Sequence, residues 1–536
     1  MKRTGAEIIV SILRAHGVEV VFGIPSIHNL PLYEALRKDP AIRHILCRQE
    51  TTATHMADGY ARIKHRLGVS LTSTGPGTGY AVPAVQEAWG SDSPLLLITT
   101  NIPGDKIGKG TGALHELDGQ DRLFEAITKE QVIVRSSEEL GDKVQKAIDR
   151  VFDGRPGPVY LEIPTDLLRK PAEEPPDQTP TRGGTLSGDL PAAISLLKNA
   201  RQPLMVVGTD AVRAQLNDDI KTLAETLIAP VISSVGGKGV LADDHPYCFG
   251  NGARQGVVRD VVSWCDVALA VGTRLREVDL KRRGLNLPQL IHVDWDLDWI
   301  GRNFPADVAL TGDTSGYLKA ILEGIEGPVG RQARQEWIHT QKERLDQEIK
   351  SVFSAEKALA YLQAIRRTLP RDGILVADNT MLGYWAEYFY PCHSPGTFMA
   401  AKGSSIIGFS FAAAMGVKLA CPETPVAALI GDGGFGYSIQ ELTTCVRHGI
   451  GVPVIVVNDH GFGVIKHLQK TYYGHSHEAG LTNPDFTLLA RSFGIEAEQV
   501  ASPEDLARAL KETLEEERMQ VIELTETFPE PPFARY

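Results

Sequence analysis

Two aspartates, each standing one residue beyond an apolar run, offer the sharpest chemistry in the chain. Gly431-Asp432-Gly433-Gly434-Phe435-Gly436 follows the run Val426 to Ile430 and precedes a helix-like segment, Ser438 to His448. Glycines at such a strand-to-helix turn let backbone N–H groups approach an anion, and the start of the following helix adds partial positive charge. Taken alone, a glycine-rich turn also arises for purely topological reasons. Asn458-Asp459-His460-Gly461 follows the next apolar run, 27 residues beyond Asp432. In a parallel sheet both carboxylates then reach neighbouring C-terminal strand ends, where ligands collect, and can share a hard divalent cation through oxygen atoms. Magnesium bridging a diphosphate is the natural occupant.

Three further residues are candidates for proton chemistry. Glu50 lies in Arg48-Gln49-Glu50, eight residues before Asp58-Gly59-Tyr60-Ala61-Arg62. A glutamate ahead of a helix also serves as simple N-terminal charge. His28 and His115 belong to loops after strand-like runs, and imidazole titrates close enough to neutrality to shuttle protons. With 15 histidines in the chain, a structural role for either stays open.

The elements that must position these groups read as α/β throughout. Glu19 to Ile24, Val69 to Thr72, Leu95 to Thr99 and Val159 to Ile163 are short apolar runs alternating with helical periods, the pattern of buried parallel strands. The Pro- and Gly-rich stretch Pro171 to Gly188 sustains neither helix nor central strand and reads as a linker. Pro203 to Gly208, Val231 to Val235, Val267 to Gly272 and Leu290 to Trp295 form a second alternating set, with Leu196 and Leu223 in helices between strands. The charged segment Gln332 to Lys350 reads as a solvated helix leading to a third unit near Ser354, with strands at Gly373 to Ala377, Val426 to Ile430, Val454 to Val457 and Gln520 to Leu524. Three consecutive parallel-sheet α/β domains are expected, over residues 1–170, 189–335 and 354–536, with 171–188 as the linker.

Bulk properties exclude several classes. Net charge is -12, with Lys and Arg spread along the 536 residues, so no basic face for nucleic acid is visible. Six cysteines stand far apart without a CxxC pair, fitting reduced thiols. Glu7 and Arg14 interrupt any signal-like apolar stretch at the N-terminus, and no window reaches the roughly 18 apolar residues of a membrane span. A soluble cytoplasmic protein is expected.

The spacing of the two aspartate segments resembles the signature of thiamine diphosphate enzymes, in which GDG is followed after a strand by Asn-Asn; here the pair is Asn458-Asp459. The resemblance implies that Asp432, the Asp459 side chain and the Gly461 carbonyl bind magnesium, that Gly433 and Gly434 lie against the diphosphate, and that Gly431, Phe462 and Gly463 complete this wall. Glu50 is similar to the family's activating carboxyl, which bonds the pyrimidine N1′ and favours the imino tautomer that removes the thiazolium C2 proton. Val21-Phe22-Gly23-Ile24-Pro25, Gly75-Pro76-Gly77 and Arg155-Pro156-Gly157-Pro158-Val159 are further landmarks, placing Pro25 and Gly75 at the cofactor. Gly403-Ser404-Ser405-Ile406-Ile407-Gly408-Phe409 resembles the segment whose apolar residue, here Ile407 beside Ser405, wedges between the cofactor rings. Asn379-Thr380-Met381-Leu382 aligns with the turn that contacts the diphosphate. In this family one subunit's first domain holds the aminopyrimidine and another's third domain the diphosphate. The resemblance therefore implies at least a homodimer, with a homotetramer as the further expectation.

Within that family the chain resembles the acetolactate synthase and 2-oxo acid decarboxylase branch, with two departures from the synthases. Leu114-His115-Glu116 stands where they carry Phe-Gln-Glu, and Leu468 stands near their substrate-selecting tryptophan. Gly108-Lys109-Gly110 through Leu117, with Ile24-Pro25-Ser26-Ile27-His28, is more similar to the 5-guanidino-2-oxopentanoate decarboxylases. The implied reaction is non-oxidative decarboxylation of a 2-oxo acid through an enamine, which His28 or His115 would protonate. The alternative is carboligation of the enamine to a second carbonyl, and a non-catalytic cofactor-binding scaffold is the third reading. Some relatives carry FAD or an adenine nucleotide in the central domain, for which Gly272-Thr273-Arg274, Asp294 and Asp296 are the positions to watch. Gly236-Gly237-Lys238-Gly239 lacks the spacing of a P-loop.

Overall fold

A computed structural model describes residues 3–173, 187–251, 256–277, 285–325, 331–351 and 356–529. Three six-stranded sheets follow one another along the chain. The first comprises β1 (Val20–Gly23), β2 (Arg43–Leu46), β3 (Gly68–Thr72), β4 (Leu95–Asn101), β5 (Gln131–Ile133) and β6 (Val159–Pro164), ordered β2-β1-β3-β4-β6-β5. Every pairing in it is parallel. Parallel strands carry helices on both faces, which is why β3, β4 and β6 read as unbroken apolar runs and are buried along their whole lengths. The amphipathic N-terminal segment forms the helix Gly5–Ala15, started by a capping box between Thr4 and Glu7.

The second sheet holds β7 (Ser187–Gly188), β8 (Pro203–Val207), β9 (Val231–Ser233), β10 (Val267–Val271), β11 (Gln289–Asp294) and β12 (Val308–Thr311), ordered β7-β12-β11-β10-β8-β9. Among the described residues its one antiparallel pair is β7 against β12. The end of the expected linker is thus already an edge strand, while residues 174–186 of that linker lie outside the described residues. The charged segment is the helix Arg331–Ser351.

The third sheet holds β13 (Ile374–Ala377), β14 (Phe398–Ala400), β15 (Val426–Gly431), β16 (Val454–Val457), β17 (Glu496–Val500) and β18 (Gln520–Leu524), all parallel, ordered β14-β13-β15-β16-β18-β17. First and third sheets share one apolar core, running from Phe22, Met56 and Tyr60 to Phe411, Met415 and Val454. Its centre is the crossing of helix Glu50–Lys64 over helix Phe409–Ala420. There Gly59 lies against the Ala413 carbonyl and Gly416 against the Met56 carbonyl, so closely that a methyl group at either glycine would overlap backbone. The small residues between them, Ala412, Ala413 and Ala414, let two helices meet at backbone distance.

Candidate functional site

Register places the acidic residues of the third unit side by side. β15 is flanked by β13 and β16, with Ala377 opposite Leu429 and Gly431 opposite Val457. Asp378, Asp432 and the pair Asn458-Asp459 therefore emerge at three neighbouring C-terminal strand ends, the position expected of a ligand site in an open α/β sheet. A cavity of about 250 Å³ lies over these ends. Its wall includes Gly431, Asp432, Gly433 and Gly434 from one turn, Asp459, Gly461, Phe462 and Gly463 from the next, Asn379 and Thr380 after β13, and Ser405 and Ile407 from the segment before helix Phe409–Ala420.

Asp432 is buried and already oriented. One carboxylate oxygen accepts the Gly433 N–H at 2.9 Å; the other accepts the Gly461 N–H at 2.8 Å and the Asn483 amide at 2.6 Å. Asp459 is pushed up to about 6, first by burial and then by the like charge of Asp432. Two crowded carboxylates with this repulsion suit a divalent cation, which would relieve it. Among the described residues no group of three His, Cys, Asp or Glu converges as a metal site. A metal held by Asp432, Asp459 and the Gly461 carbonyl would draw its remaining ligands from phosphate and water, as magnesium commonly does. The Lys466 ammonium donates to the carbonyls of Asp459 at 3.1 Å and His460 at 2.6 Å, adding positive charge beside the same loop.

The glycine segment differs from its expected form. It is helical from the start, over Asp432–Phe435, and Ile439–Glu441 and Leu442–His448 follow as separate short pieces. Gly431, Gly433, Gly434 and Gly436 all have ordinary negative φ. They serve close approach: a methyl at Gly433 would stand 2.7 Å from the Phe462 ring, and one at Gly434 3.3 Å from an Asp378 oxygen. The missing side chains let this turn pack tightly against Phe462 and Asp378 while its backbone lines the cavity.

Asp378 escaped the sequence reading. It accepts the N–H groups of Asn379 and Gly408, both at 2.8 Å, and of Ser410 at 3.4 Å, and burial pushes it up to about 6. Asn379 in turn donates to the carbonyls of Ser405 at 2.7 Å and Ile406 at 3.2 Å. Ser405 has φ 57, in the left-handed region, and these bonds hold the bend that presents half-buried Ile407 to the cavity. The available signal was that Asp378 ends an apolar run just as Asp432 and Asp459 do. Asn483, far along the chain, left none.

The first-unit candidates gather separately. Glu50 is the first residue of its helix, and its carboxyl lies against Gly77, where a methyl would stand 2.9 Å from Oε1. Burial raises its pKa. Gly75 has φ 63 and packs on the His115 carbonyl, while its N–H donates to Gln120 at 2.6 Å. The rings of His28 and His115 are 5.3 Å apart, and His28 Nε2 and His115 Nδ1 are buried without hydrogen-bond partners. His28 is lowered by burial and then by His115. Pro25 is exposed beside Ser26, whose hydroxyl accepts from Ser73 at 2.6 Å. None of Pro25, His28, Glu50, Gly75 and His115 lines the third-unit cavity of the same chain.

Gly272, Thr273 and Arg274 do line a cavity between the three sheets, of about 110 Å³. Small-molecule pockets usually measure about 300–1,000 Å³. Arg155 is bound there to Asp92 at 2.8 Å, Asp210 at 3.2 Å and Asp294 at 2.6 Å, and Asp296 lies outside the wall. Arg155 and two of its three carboxylate partners, Asp92 and Asp210, stand in the wall of this space. Lys238 donates to the Glu387 carbonyl at 3.3 Å, in line with a structural loop at Gly236–Gly239.

Comparison with known proteins bears directly on these two half-sites. Three models of thiamine pyrophosphate enzymes match the chain: the N-terminal TPP binding domain over residues 3–122, the central domain over 190–321 and the C-terminal TPP binding domain over 378–524. The chain is 34% identical to a probable 2-ketoarginine decarboxylase of Pseudomonas aeruginosa, over 97% of this chain and 94% of that one. It is 30% identical to a probable acetolactate synthase large subunit of Methanocaldococcus jannaschii, covering 95% and 90%, and 30% identical to acetolactate synthase isozyme 3 large subunit of Escherichia coli, covering 96% and 93%. With the glycine-walled acidic cavity in one unit, the buried glutamate in another and matches across all three, the chain belongs to the thiamine pyrophosphate enzymes.

Proposed function

We propose that this enzyme decarboxylates a 2-oxo acid with thiamine diphosphate and magnesium as cofactors. The observation that carries the reading is the meeting of Asp432, Asp459 and the glycine turn Gly431 to Gly434 in one cavity, a surface suited to a metal-bound diphosphate. In this reading residues 354–536 hold the diphosphate and metal, residues 1–170 the aminopyrimidine, and residues 189–335 join them. Thiamine diphosphate, when bound, supplies the electron sink that makes the bond beside a ketone breakable.

The chain's own groups do the rest. Asp432, Asp459 and the Gly461 carbonyl hold magnesium; Gly433 and Gly434 take the phosphate oxygens; Asn379, Thr380 and Ser405 fix the wall around Ile407. Glu50, its pKa raised by burial, keeps a proton for the pyrimidine N1′. His28 and His115, whose rings stand 5.3 Å apart with one buried, unpartnered nitrogen on each, hold and deliver a proton on the substrate side. The cytoplasm is the proposed compartment, and a homodimer or homotetramer the working assembly.

Carboligation to a second carbonyl is the competing reading, supported by the acetolactate synthases among the relatives. Purified protein with both cofactors and a panel of 2-oxo acids, including one with a guanidino tail, separates the two by mass spectrometry of products. An aldehyde with carbon dioxide is expected. A hydroxyketone product transfers the assignment to the synthases, and no turnover of any acid at saturating cofactor sinks both in favour of a scaffold.

A further inference from the structure

We propose that Glu441, in the third unit, is the positioning residue for Glu50 in the first, an inference that rests on the activating role given to Glu50 above. Glu441 ends the short turn Ile439–Glu441, shortly after the Asp432 segment, and its side chain crosses into the first unit. It is fully buried. Its carboxylate accepts the Arg48 N–H at 3.0 and 3.3 Å, the Thr52 hydroxyl at 2.5 Å and the Thr444 hydroxyl at 2.6 Å. The backbone N–H of Gln49 is directed at it as well.

The Arg48, Gln49 and Thr52 donors belong to the start of helix Glu50–Lys64, whereas Thr444, from helix Leu442–His448, steadies the carboxylate on its own side. A helix leaves its first N–H groups without intrahelical partners, and a side chain at the N-cap usually satisfies one. Here the N-cap is Gln49, which makes no side-chain capping bond. Glu441, 393 residues away, takes the N–H of Arg48 just before that N-cap, the N–H of Gln49 and the Thr52 hydroxyl, and so anchors the helix start from outside. Thr52 lies one turn into the helix and Arg48 just before it, so the carboxylate grips the chain on both sides of Glu50. Gln440 adds a bond from its amide to the Gln49 side chain at 3.2 Å.

The geometry makes Glu50 sensitive to this grip. As the first helical residue it has no earlier helical turn to fix its backbone, and its carboxyl must lie over Gly77 without displacing it. A displacement of about 1 Å in a reacting group can cost roughly a hundredfold in rate. Glu441 touches neither the third-unit cavity nor Gly77, and so acts through the helix start.

The test uses the full-length enzyme loaded with thiamine diphosphate and magnesium, comparing Glu441→Gln, Thr444→Val and Glu50→Gln with the parent. Exchange of the cofactor's C2 proton into deuterium oxide, followed by quenched-flow NMR, reads the step assigned to Glu50. Cofactor affinity by calorimetry and thermal unfolding read binding and fold. Glu441→Gln should slow exchange about tenfold while cofactor affinity stays within about threefold, and Thr444→Val should slow it by about two- to threefold. A folded Glu441→Gln enzyme exchanging at the parent rate overturns the inference. Should that variant fail to fold, Thr444→Val decides: exchange at the parent rate overturns it equally. If Glu50→Gln itself exchanges at the parent rate, the role of Glu50 falls first, an outcome distinct from the failure of Glu441 alone.

Discussion

Asp432 and Asp459 bear the same charge at adjacent strand ends, and Asp459 carries the consequence, raised from its ordinary 3.8 to about 6 by burial and by its neighbour. A cation site of this kind binds metal with its carboxylates ionised, so magnesium must displace whatever proton Asp459 holds. Above pH 6 there is little proton to displace; below it, affinity should fall, by up to about tenfold per pH unit. Calorimetry of magnesium with the diphosphate cofactor at pH 7.5 and pH 5 should show that fall, and Asp459→Asn should flatten it. The same variant should bind more weakly at pH 7.5 by only about tenfold, whereas Asp432→Ala, which removes the residue oriented by Gly461 and Asn483, should lose at least about a hundredfold. An Asp459→Asn enzyme with the parent's pH slope would show that this carboxylate is not a ligand. Both aspartates were legible in the sequence because each stands one residue beyond an apolar run, after Gly431 and after Asn458. Asn483 and Glu441 were not, since their partners lie 51 and 393 residues distant and no local pattern records such a meeting.

At the level of elements, legibility followed burial. β1, β3, β4, β6, β8, β10, β11, β13, β15, β16 and β18, all interior strands, were visible as apolar runs, as was the edge strand β9. The strands that went unseen are the other five edges, β2, β5, β7, β14 and β17, and β12, which has only the two-residue β7 beyond it. β2 and β17 are buried on alternate residues at most, so their sequences, RHIL and EAEQV, lack the continuous run that gives an inner strand away. The crossing of helices Glu50–Lys64 and Phe409–Ala420 was equally hidden, because small residues carry no periodic apolar signal. It makes a strict demand. Gly416→Ala places a methyl on the Met56 carbonyl and can be accommodated only by moving one helix. That should cost about 1–3 kcal/mol, seen as a lower urea midpoint with unchanged far-UV circular dichroism in the folded state. Because Glu50 begins one of these helices, the same variant should also lose turnover. Parent-like stability would mean that the two helices are less closely engaged than their backbone contacts indicate.

Across the whole molecule, the two half-sites each end on surfaces that a single chain leaves uncovered. Leu114 is 59% exposed beside His115, with Ile27 and Leu30 on the loop of His28, and Tyr473 is 73% exposed on helix Gly463–Tyr473, which has no buried residue. A helix whose apolar side chains are only partly covered, with Ile465, Tyr472 and Tyr473 exposed, is a natural subunit contact. This arrangement fits a site built between copies, with Glu50 of one protomer serving the cofactor held by Asp432 of its partner. Co-expression of Glu50→Gln and Asp432→Ala chains tests it. Each variant alone has every site damaged, and neither should turn over substrate. In a mixed dimer with shared sites, one site collects both defects and the other collects none. Random pairing makes half of the dimers mixed, so turnover should recover to about a quarter of the parent's. Were each site formed within one chain, every site in the mixture would retain a defect and no recovery would occur. Sedimentation of the same preparation supplies the second half of the test: activity should follow the dimeric or larger species, and a fully active monomer would refute a site shared between copies.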